Sequence, residues 1–420
     1  MVRKVLLLLL AGLFVGLAGL AAEETTIRVS GWVSSPAESK IMETLINLYN
    51  DQFAPPGVKA VYEPIPGDYT MKIQTMLAAK KAPDVFYWDI FMAEPLMHKG
   101  ALLPLNDLMD KAGVKPEDFV DTCINAFTYN GKIYGIPKDF NTLALFYNKE
   151  IFDIAGVPYP TDDWTWDDLL AAAKAIQAKA DEIRKSVPTF KAALCMAPDT
   201  ARFLPFVFQN GGSFFNAARD KVVINSSQAV EALKFYTDFE LVHHVAVRPS
   251  EIGAGWQGEA FGKGNAAMVM EGGWMVSFLR DNFPDIKYGA VELPAGPAGK
   301  GNLLFTVAYV IPAYEKHPAE AFDVLKFLTS PLAQMYVLAR GFALPTRKAL
   351  GDFITDPVSL AIFKGAAYAR PWEFGLLGGK PVDELAAAME AVFLGKKTPQ
   401  QALDDAAKVL NERLQEVLSG

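Results

Sequence analysis

The sequence predicts an α/β fold with two lobes, each a mainly parallel sheet flanked by helices. Its 420 residues exceed the usual length of one domain, which is about 100–200 residues, so two or three cores are expected. Up to Trp88, strand-like and helix-like patterns alternate, an order typical of a parallel sheet. Polar and aromatic stretches adjoin strands at three later places, which are the candidate hinge crossings between lobes: 139–142, 303–306 and 343–346.

The N-terminal segment has the pattern of a secretory signal peptide. Arg3 and Lys4 give it a positive start, residues 5–20 are apolar, and the small residues before Ala22 favour cleavage there. We therefore assign 1–22 to a signal peptide, the alternative being an uncleaved anchor helix of marginal length. Its removal would take the formal net charge from −8 to −10, since −8 − 2 = −10. An acidic, exported chain is expected in the periplasm or outside the cell, without nucleic-acid partners.

Strands and helices follow in order through the N-terminal part of the chain. Residues 27–33 alternate between polar and apolar types, as a strand does. Residues 37–53 place Ile41, Leu45 and Leu48 at helical spacing. Because a strand, a helix and a strand recur in this way, the strands are expected to lie parallel. The further elements predicted here are strands at 58–62 and 83–88 and a helix at 69–80.

The later elements are predicted from similar signals. Thr165, with Asp168 three residues later, is typical of a capping box at the start of a helix. Caps near Asp383 and Thr398 are predicted to open the last helices. We expect one lobe to comprise 23–140 and 305–344, and the other 141–304 and 345–420. The remaining elements are strands at 143–147, 194–196, 267–270 and 306–311, and helices at 201–209, 228–242, around 261, from 274, and at 318–328.

Cysteine and histidine are scarce. Cys123 and Cys195 both have apolar neighbours and are predicted to be buried, unpaired thiols in different lobes. A disulfide is the alternative, because exported proteins form them. The four histidines and two cysteines show no zinc-ligand spacing, so neither a metal nor a cofactor is predicted.

Tryptophan and polar side chains gather where the predicted strands end. Ligands of open α/β sheets bind beyond the carboxyl ends of the strands. An indole face packs on the C–H face of a pyranose, while carboxylates, amides and arginine bond to its hydroxyls. This mixture favours a carbohydrate site, although a single Trp at a strand end is also typical of core packing. The candidate ligand-binding residues are Trp32, Ser35, Glu38, Trp88, Asp89, Asp139, Asn141, Asp199, Arg202, Trp274, Arg347, Arg370 and Trp372.

An ordered set of sequence stretches resembles a known family. GIPKDFNTLALFYNKEIFD (135–153), FGKGNAAMVMEGGWMVSFL (261–279) and SPLAQMYVLARGFALPTR (330–347) are similar to family 1 extracellular solute-binding proteins, the group of the periplasmic maltose-binding protein. The resemblance covers nearly all of the mature chain. It implies the two-lobed periplasmic-binding-protein fold of type II and capture of a sugar by hinge closure. It also implies a monomer that delivers the sugar to the inner-membrane subunits of an ABC permease.

The resemblance also implies roles for particular residues. Trp88, Trp274 and Trp372 match tryptophans that stack on sugar in the maltose-binding member of the family. Asn141 and Asp199 fall where that member has sugar-binding carboxylates. Because position 141 holds Asn rather than a carboxylate, the sugar is not expected to be handled as maltodextrin is. A trehalose-, maltose- or sucrose-type disaccharide or another short oligosaccharide is expected.

Three alternatives remain open from the sequence. Related binding proteins take a glycerol-phosphate ester, whose phosphate Arg347 or Arg370 would meet. The fold would also suit the ligand-capture partner of a two-component sensor. An exported glycosidase would need two carboxylates about 5–10 Å apart, and no motif fixes such a pair. The acidic residues that would supply it are Asp89, Asp139, Asp199 and Glu271.

Overall fold

The computed structural model describes residues 24–32 and 36–419. The predicted signal peptide at 1–22 and the candidate Ser35 lie outside these ranges, so both stay predictions. Within the described ranges, no helix is at once long enough and apolar enough to traverse a membrane.

Helices and strands alternate along most of the described chain. The strands are β1 (Thr25–Ser30), β2 (Val58–Tyr62), β3 (Val85–Asp89), β4 (Thr128–Tyr129), β5 (Lys132–Ile133), β6 (Gly135–Thr142), β7 (Ala144–Asn148), β8 (Ala192–Cys195), β9 (Ala246–Val247), β10 (Ala266–Glu271), β11 (Tyr288–Val291), β12 (Asn302–Val310) and β13 (Ala369–Pro371). The α-helices are α1 (Pro36–Gln52), α2 (Tyr69–Ala78), α3 (Ala93–His98), α4 (Asn106–Ala112), α5 (Asp121–Asn125), α6 (Lys149–Ala155), α7 (Trp166–Gln177), α8 (Ala180–Ser186), α9 (Thr200–Gln209), α10 (Ser227–Leu241), α11 (Gln257–Gly262), α12 (Trp274–Asn282), α13 (Pro318–Leu328), α14 (Pro331–Ala339), α15 (Pro357–Gly365), α16 (Lys380–Phe393) and α17 (Pro399–Ser419). Short 3₁₀ helices are Ile90–Met92, Pro116–Asp118, Pro249–Glu251, Lys348–Phe353 and Gly375–Leu377.

Two separate sheets organise the two lobes. In the first, the strand order is β2-β1-β3-β12-β6, and β13 lies beside the start of β12. In the second, the order is β11-β7-β10-β8-β9. The predicted two-lobed α/β architecture is therefore confirmed. Each sheet is mixed, because β12 runs antiparallel to β3 and β6, and β7 runs antiparallel to β10 and β11.

The first sheet contributes apolar side chains to a buried core that it shares with neighbouring helices. Val85 to Trp88 are all buried, as expected for the interior strand β3. Helix α1 turns Ile41 and Leu45 toward the sheet, where they join the same core as Ile27 and Val29 of β1. The apolar spacing read from the sequence thus identifies the buried face of α1.

The chain crosses between the two sheets at neighbouring points. The stretch 139–142, expected as a crossing, is part of the regular strand β6, and the crossing itself occurs at Leu143. There the Asn302 side chain accepts a hydrogen bond from the Leu143 amide (3.2 Å) and donates one to its carbonyl (2.7 Å). Further back along β6, the Thr346 hydroxyl donates to the Pro137 carbonyl (2.7 Å). The residue boundaries assigned to the lobes stay a prediction.

Of the three helix caps predicted from the sequence, two are confirmed and one is wrong. The capping box at Thr165 is confirmed, because the Asp168 carboxylate accepts from the Thr165 amide (2.8 Å) while Thr165 accepts from that of Asp168. Thr398 caps α17 by accepting from the Gln401 amide. The cap near Asp383 is wrong, since α16 begins at Lys380 and places Asp383 in its first turn.

Both cysteines are buried and unpaired. They belong to the same apolar cluster, which extends across the crossings between the sheets. Burial raises the pKa of both thiols well above the usual value, so Cys123 and Cys195 act as small apolar side chains.

Candidate functional site

A cleft with a volume of ≈ 730 Å³ lies between the two sheets. One wall is formed by Trp32 after β1, by the start of α1 and by Asp89 at the end of β3, and the opposite wall by α12 and the loop before α11. Residues of β6 and β12 form the floor where the chain crosses. The cleft therefore lies at the strand ends that the sequence singled out. The predicted residues that line it are Trp32, Glu38, Asp89, Asp139, Asn141 and Trp274.

Trp32 presents an indole on the first wall. It follows β1 and meets the rings of Tyr69 and Tyr87 nearly at right angles, with ring centroids 5.5 and 5.3 Å away. Edge-to-face contacts of this kind are favourable for aromatic rings. The two tyrosines thus support Trp32 from behind and leave part of it facing the cleft.

A buried ion cluster occupies the floor beside Trp32. The Lys138 ammonium lies 3.6 Å from the Glu38 carboxylate, contacts the Asp139 carboxylate, and sits 4.6 Å from the centre of the Tyr87 ring. Burial by itself would lower the pKa of Lys138, but the two carboxylates outweigh it and raise that pKa above the usual value. Lys138 therefore stays charged. It belongs to the quoted stretch 135–153 but was not among the predicted ligand-binding residues.

Asp89 closes the first wall at the end of β3. Its carboxylate accepts a hydrogen bond from the Phe91 amide (3.3 Å) and caps the following 3₁₀ turn. Burial raises the pKa of Asp89 to about 7, and the Asp139 charge adds to the effect. Near neutral pH this side chain is thus present in both forms, and it can donate to or accept from a hydroxyl.

This pKa predicts how stability depends on pH. The folded-state pKa of Asp89 lies above the ordinary value of 3.8, so between these values the folded state binds more protons than the unfolded state. The contribution of Asp89 to the free energy of unfolding is complete below pH 3.8 and is lost as the pH rises through about 7. The variant Asp89→Asn should therefore gain stability relative to wild type as pH rises across that window, measured by urea denaturation. A constant difference across the window would contradict the expectation.

The opposite wall carries two further aromatic groups. The half-buried Trp274 ring meets Phe305 of β12 at 5.5 Å, nearly perpendicular. Trp256 packs against Phe278 at 4.8 Å, and both line the cleft. Asn141 reaches the same wall so closely that a side chain at Gly273 would collide with it. The sequence contained no signal for Trp256, because it lies in a loop before α11 with no strand end beside it.

Behind Trp274 lies a second layer of charged groups. The Glu271 carboxylate accepts from the Trp274 indole nitrogen (2.8 Å) and pairs with the Arg202 guanidinium. Arg202 also pairs with Asp199 at 3.2 Å, and Asp199 caps α9. Burial raises the pKa of Glu271, and Arg202 opposes that effect. Asp199 and Arg202, which were predicted to touch ligand, lie outside the lining of the cleft and contact each other.

This cleft suits a polyhydroxylated molecule. Its walls offer indole and phenyl rings from both lobes, and its floor offers an ammonium, carboxylates and an amide. Ring faces exclude water from C–H surfaces, and charged groups make strong hydrogen bonds to hydroxyls. A profile of the bacterial extracellular solute-binding proteins matches residues 36–335. The chain belongs to this family.

Relatives of this solute-binding protein agree with that assignment. It is 28% identical over 281 residues to an arabinooligosaccharide-binding protein of Halalkalibacterium halodurans, a match that covers 64% of this chain and 59% of the relative. The chain thus aligns with less than two thirds of that relative's length. A putative binding protein of Brucella abortus is 24% identical and is matched over 84% of this chain and 85% of its own.

Solved structures show the same fold. An ABC substrate-binding protein of Listeria monocytogenes, in complex with cycloalternan, superimposes with a TM-score of 0.81 at 26% identity, covering 93% of this chain and 99% of that one. A Streptomyces glaucescens receptor, solved unliganded and with acarbose, superimposes with a TM-score of 0.77 at 22% identity, with coverage of 93% and 99%. The second likeness concerns the fold alone.

Trp88 of this solute-binding protein does not have the predicted place in the cleft. Its side chain is 1% exposed, and its indole nitrogen donates to the Met92 carbonyl (2.8 Å). Successive residues of a strand point to opposite faces, so Asp89 reaches the cleft while Trp88 points into the core with Phe86. Trp88 is therefore a core residue and lies outside the lining of the cleft.

Three more predicted residues lie outside the lining of the cleft. Trp372 is 8% exposed and packs against Phe305 and Phe374 at 5.8 and 5.0 Å, so it supports the aromatic wall from behind. The Arg347 guanidinium lies over the Phe119 ring at 4.5 Å. Arg370 lies over the ring of Phe208 at 4.3 Å. These two cations are occupied by contacts within the protein, away from the cleft.

Proposed function

We propose that this protein captures a short oligosaccharide in its cleft and delivers it to the membrane permease of an ABC importer. The observation that carries the proposal is a pair of indoles on opposite walls, Trp32 and Trp274, above a floor of charged and amide groups. Two relatives named for arabino-oligosaccharides, at 28% and 27% identity, support this substrate class. So does the cycloalternan complex at 26% identity.

Capture takes place by closure of the lobes. A ligand shifts an equilibrium only as far as it binds one state better than the other. A sugar that touches Trp32 and Trp274 together gains both contacts only when the walls approach, so it stabilises the closed arrangement. The crossings at Leu143 and Asn302 are joined by two hydrogen bonds and form the hinge.

The carboxylates favour binding over hydrolysis. Asp139 is paired with Lys138, and Glu271 with Arg202. A glycosidase needs one carboxyl group as an acid and the other as a base or nucleophile across the same bond. Paired carboxylates serve as fixed acceptors for hydroxyls instead, so we propose that the protein has no enzymatic activity and needs no cofactor.

The positions of two arginines do not support the contacts by which a glycerol-phosphate ester was expected to bind. Arg347 and Arg370, the residues expected to meet a phosphate, stack on phenyl rings outside the cleft. We further propose that the chain is exported by a cleaved signal peptide and acts as a monomer in the periplasm or outside the cell. Its partners are then the sugar and the permease subunits.

A thermal-shift screen tests the proposal. The panel is arabinotriose, galactotriose, maltotetraose, lactose, trehalose, sucrose and glycerophosphocholine. A sugar present at 100 times its dissociation constant should add about 2.7 kcal/mol to the free energy of unfolding. Trp274→Ala should abolish most of that gain, because it removes one wall of the clamp.

The controls separate the competing functions. Chromatography of the incubated sugars detects released monosaccharide, which would indicate a glycosidase. Small-angle scattering should show a more compact particle in the presence of the sugar that binds. Failure of every sugar to stabilise the protein, with a gain from glycerophosphocholine alone, would replace the sugar proposal by the ester.

A further inference from the structure

Glu271 is a fully buried carboxylate directly behind the cleft wall. It ends β10, it is 0% exposed, and it lies three residues before Trp274. Its Oε2 atom receives the indole N–H of Trp274 at 2.8 Å and also contacts the Arg202 guanidinium. One oxygen of this carboxylate thus joins a cleft ring to a buried cation.

The Trp274 ring is restrained from several other directions. The Arg202 guanidinium lies 5.5 Å from the ring centre, and the Phe305 ring meets the indole nearly at right angles. The indole also lies so close to Gly272 that a Cβ atom there would collide with it. Asp199 in turn fixes Arg202 through an ion pair at 3.2 Å. The ring therefore has one orientation that satisfies all of these contacts.

Stability alone does not account for this buried pair. Replacing a buried ion pair by apolar residues of similar size is often neutral or stabilising, because desolvation offsets the attraction between the charges. Here the hydrogen bonding is also incomplete, since Arg202 Nε and Glu271 Oε1 have no partner within the described residues. A buried pair of this kind contributes more to the geometry of its neighbours than to folding.

We propose that Glu271, fixed by Arg202 and Asp199, positions the Trp274 indole so that its face meets a sugar ring. These three are positioning residues, because each acts through the indole and none lines the cleft. The sugar in this statement rests on the proposed function. The orientation of the indole ring does not depend on the proposed function, so the orientation and the sugar contact are tested separately.

The first test observes the ring without any sugar. Protein labelled with ¹⁵N at the indole nitrogens is compared by NMR, with Trp274→Phe assigning the Trp274 signal. Glu271→Leu should shift that signal and speed exchange of its N–H with solvent by about tenfold or more, as expected for loss of a charge-assisted hydrogen bond. Glu271→Gln retains an acceptor and should restore slow exchange. An unchanged signal in Glu271→Leu overturns the proposal.

The second test uses the paired variant Arg202→Met with Glu271→Leu, which removes both charges of the buried pair and leaves Asp199, 31% exposed, as the cap of α9. Its melting temperature should stay within about 4 °C of wild type. Its calorimetric affinity for arabinotriose and maltotetraose should fall about tenfold for whichever of them wild type binds. Equal affinity in the variant and wild type would overturn the positioning role.

A control variant tests whether the loss of affinity is specific to the pair behind Trp274. Arg248→Met with Glu240→Leu removes another buried pair, at 3.0 Å, that lies outside the cleft lining, and it should leave the affinity unchanged. A loss of affinity there as well would mean that any such change weakens binding, which contradicts a specific role for Glu271. If wild type binds neither sugar, the proposed function is in doubt, and the NMR result alone decides on positioning.

Discussion

Replacing Trp88 with alanine should lower the free energy of unfolding by about 3–5 kcal/mol, the range for large-to-small changes in a core. Trp88 belongs to the interior strand β3, and its side chain is 1% exposed. Its removal leaves a cavity beside Phe86 and deprives the Met92 carbonyl of its hydrogen-bond donor. The residue was first expected to contact sugar, so the experiment separates the two roles directly.

The measurement is urea denaturation followed by circular dichroism, with Trp274→Ala as the matched control. Trp274 is half-buried at the cleft, so its loss should cost less stability and should remove sugar binding instead. A Trp88→Ala protein as stable as wild type but unable to bind sugar would show that the indole faces the ligand after all.

The two neighbours Trp88 and Asp89 show what strand patterns can and cannot predict. The end of β3 was located correctly, because an apolar run followed by a polar residue marks it. The face that each side chain occupies was not predictable, since residues 85–88 are all apolar and show no alternation. In a strand buried on both sides, only the packing partners decide which residue reaches the cleft.

The second layer of the cleft wall was beyond sequence patterns for another reason. Asp199 and Arg202 stand near a strand end, as ligand-binding residues do, and were predicted as such. Their partner Glu271 lies 69 residues after Arg202 in the chain, and this contact turns Arg202 away from solvent. Short-range signals such as caps and helical spacing contain no information on such a pairing, whereas they did identify α1 and the Thr165 cap.

The floor of the cleft shows the same limit. Asp139 was predicted to lie at a crossing because it is a polar residue ahead of an apolar strand, and the structure makes it, like Lys138, part of β6. Glu38, which lies in α1 a hundred residues earlier along the chain, is the third member of the cluster. A polar strand is tolerated at this place because its charges meet each other instead of water.

Replacing Lys138 with methionine is the second change for which a large effect is expected. The side chains of Lys138, Glu38 and Asp139 are 10%, 3% and 14% exposed. Removing one partner of a buried pair leaves an uncompensated charge, which typically costs about 3–5 kcal/mol. At pH 7 Lys138→Met should therefore lose about this much free energy of unfolding, while Lys40→Met, at an exposed lysine lining the same cleft, should lose little.

A double variant identifies the cause of that loss. If the penalty comes from the charge imbalance that the lost lysine leaves in this cluster, removing the charge of its contact partner as well should recover part of it. Lys138→Met with Asp139→Asn should therefore be more stable than Lys138→Met alone at pH 7, measured by urea denaturation. Equal stability of the two variants would assign the effect to lost packing of the lysine stem on Tyr87.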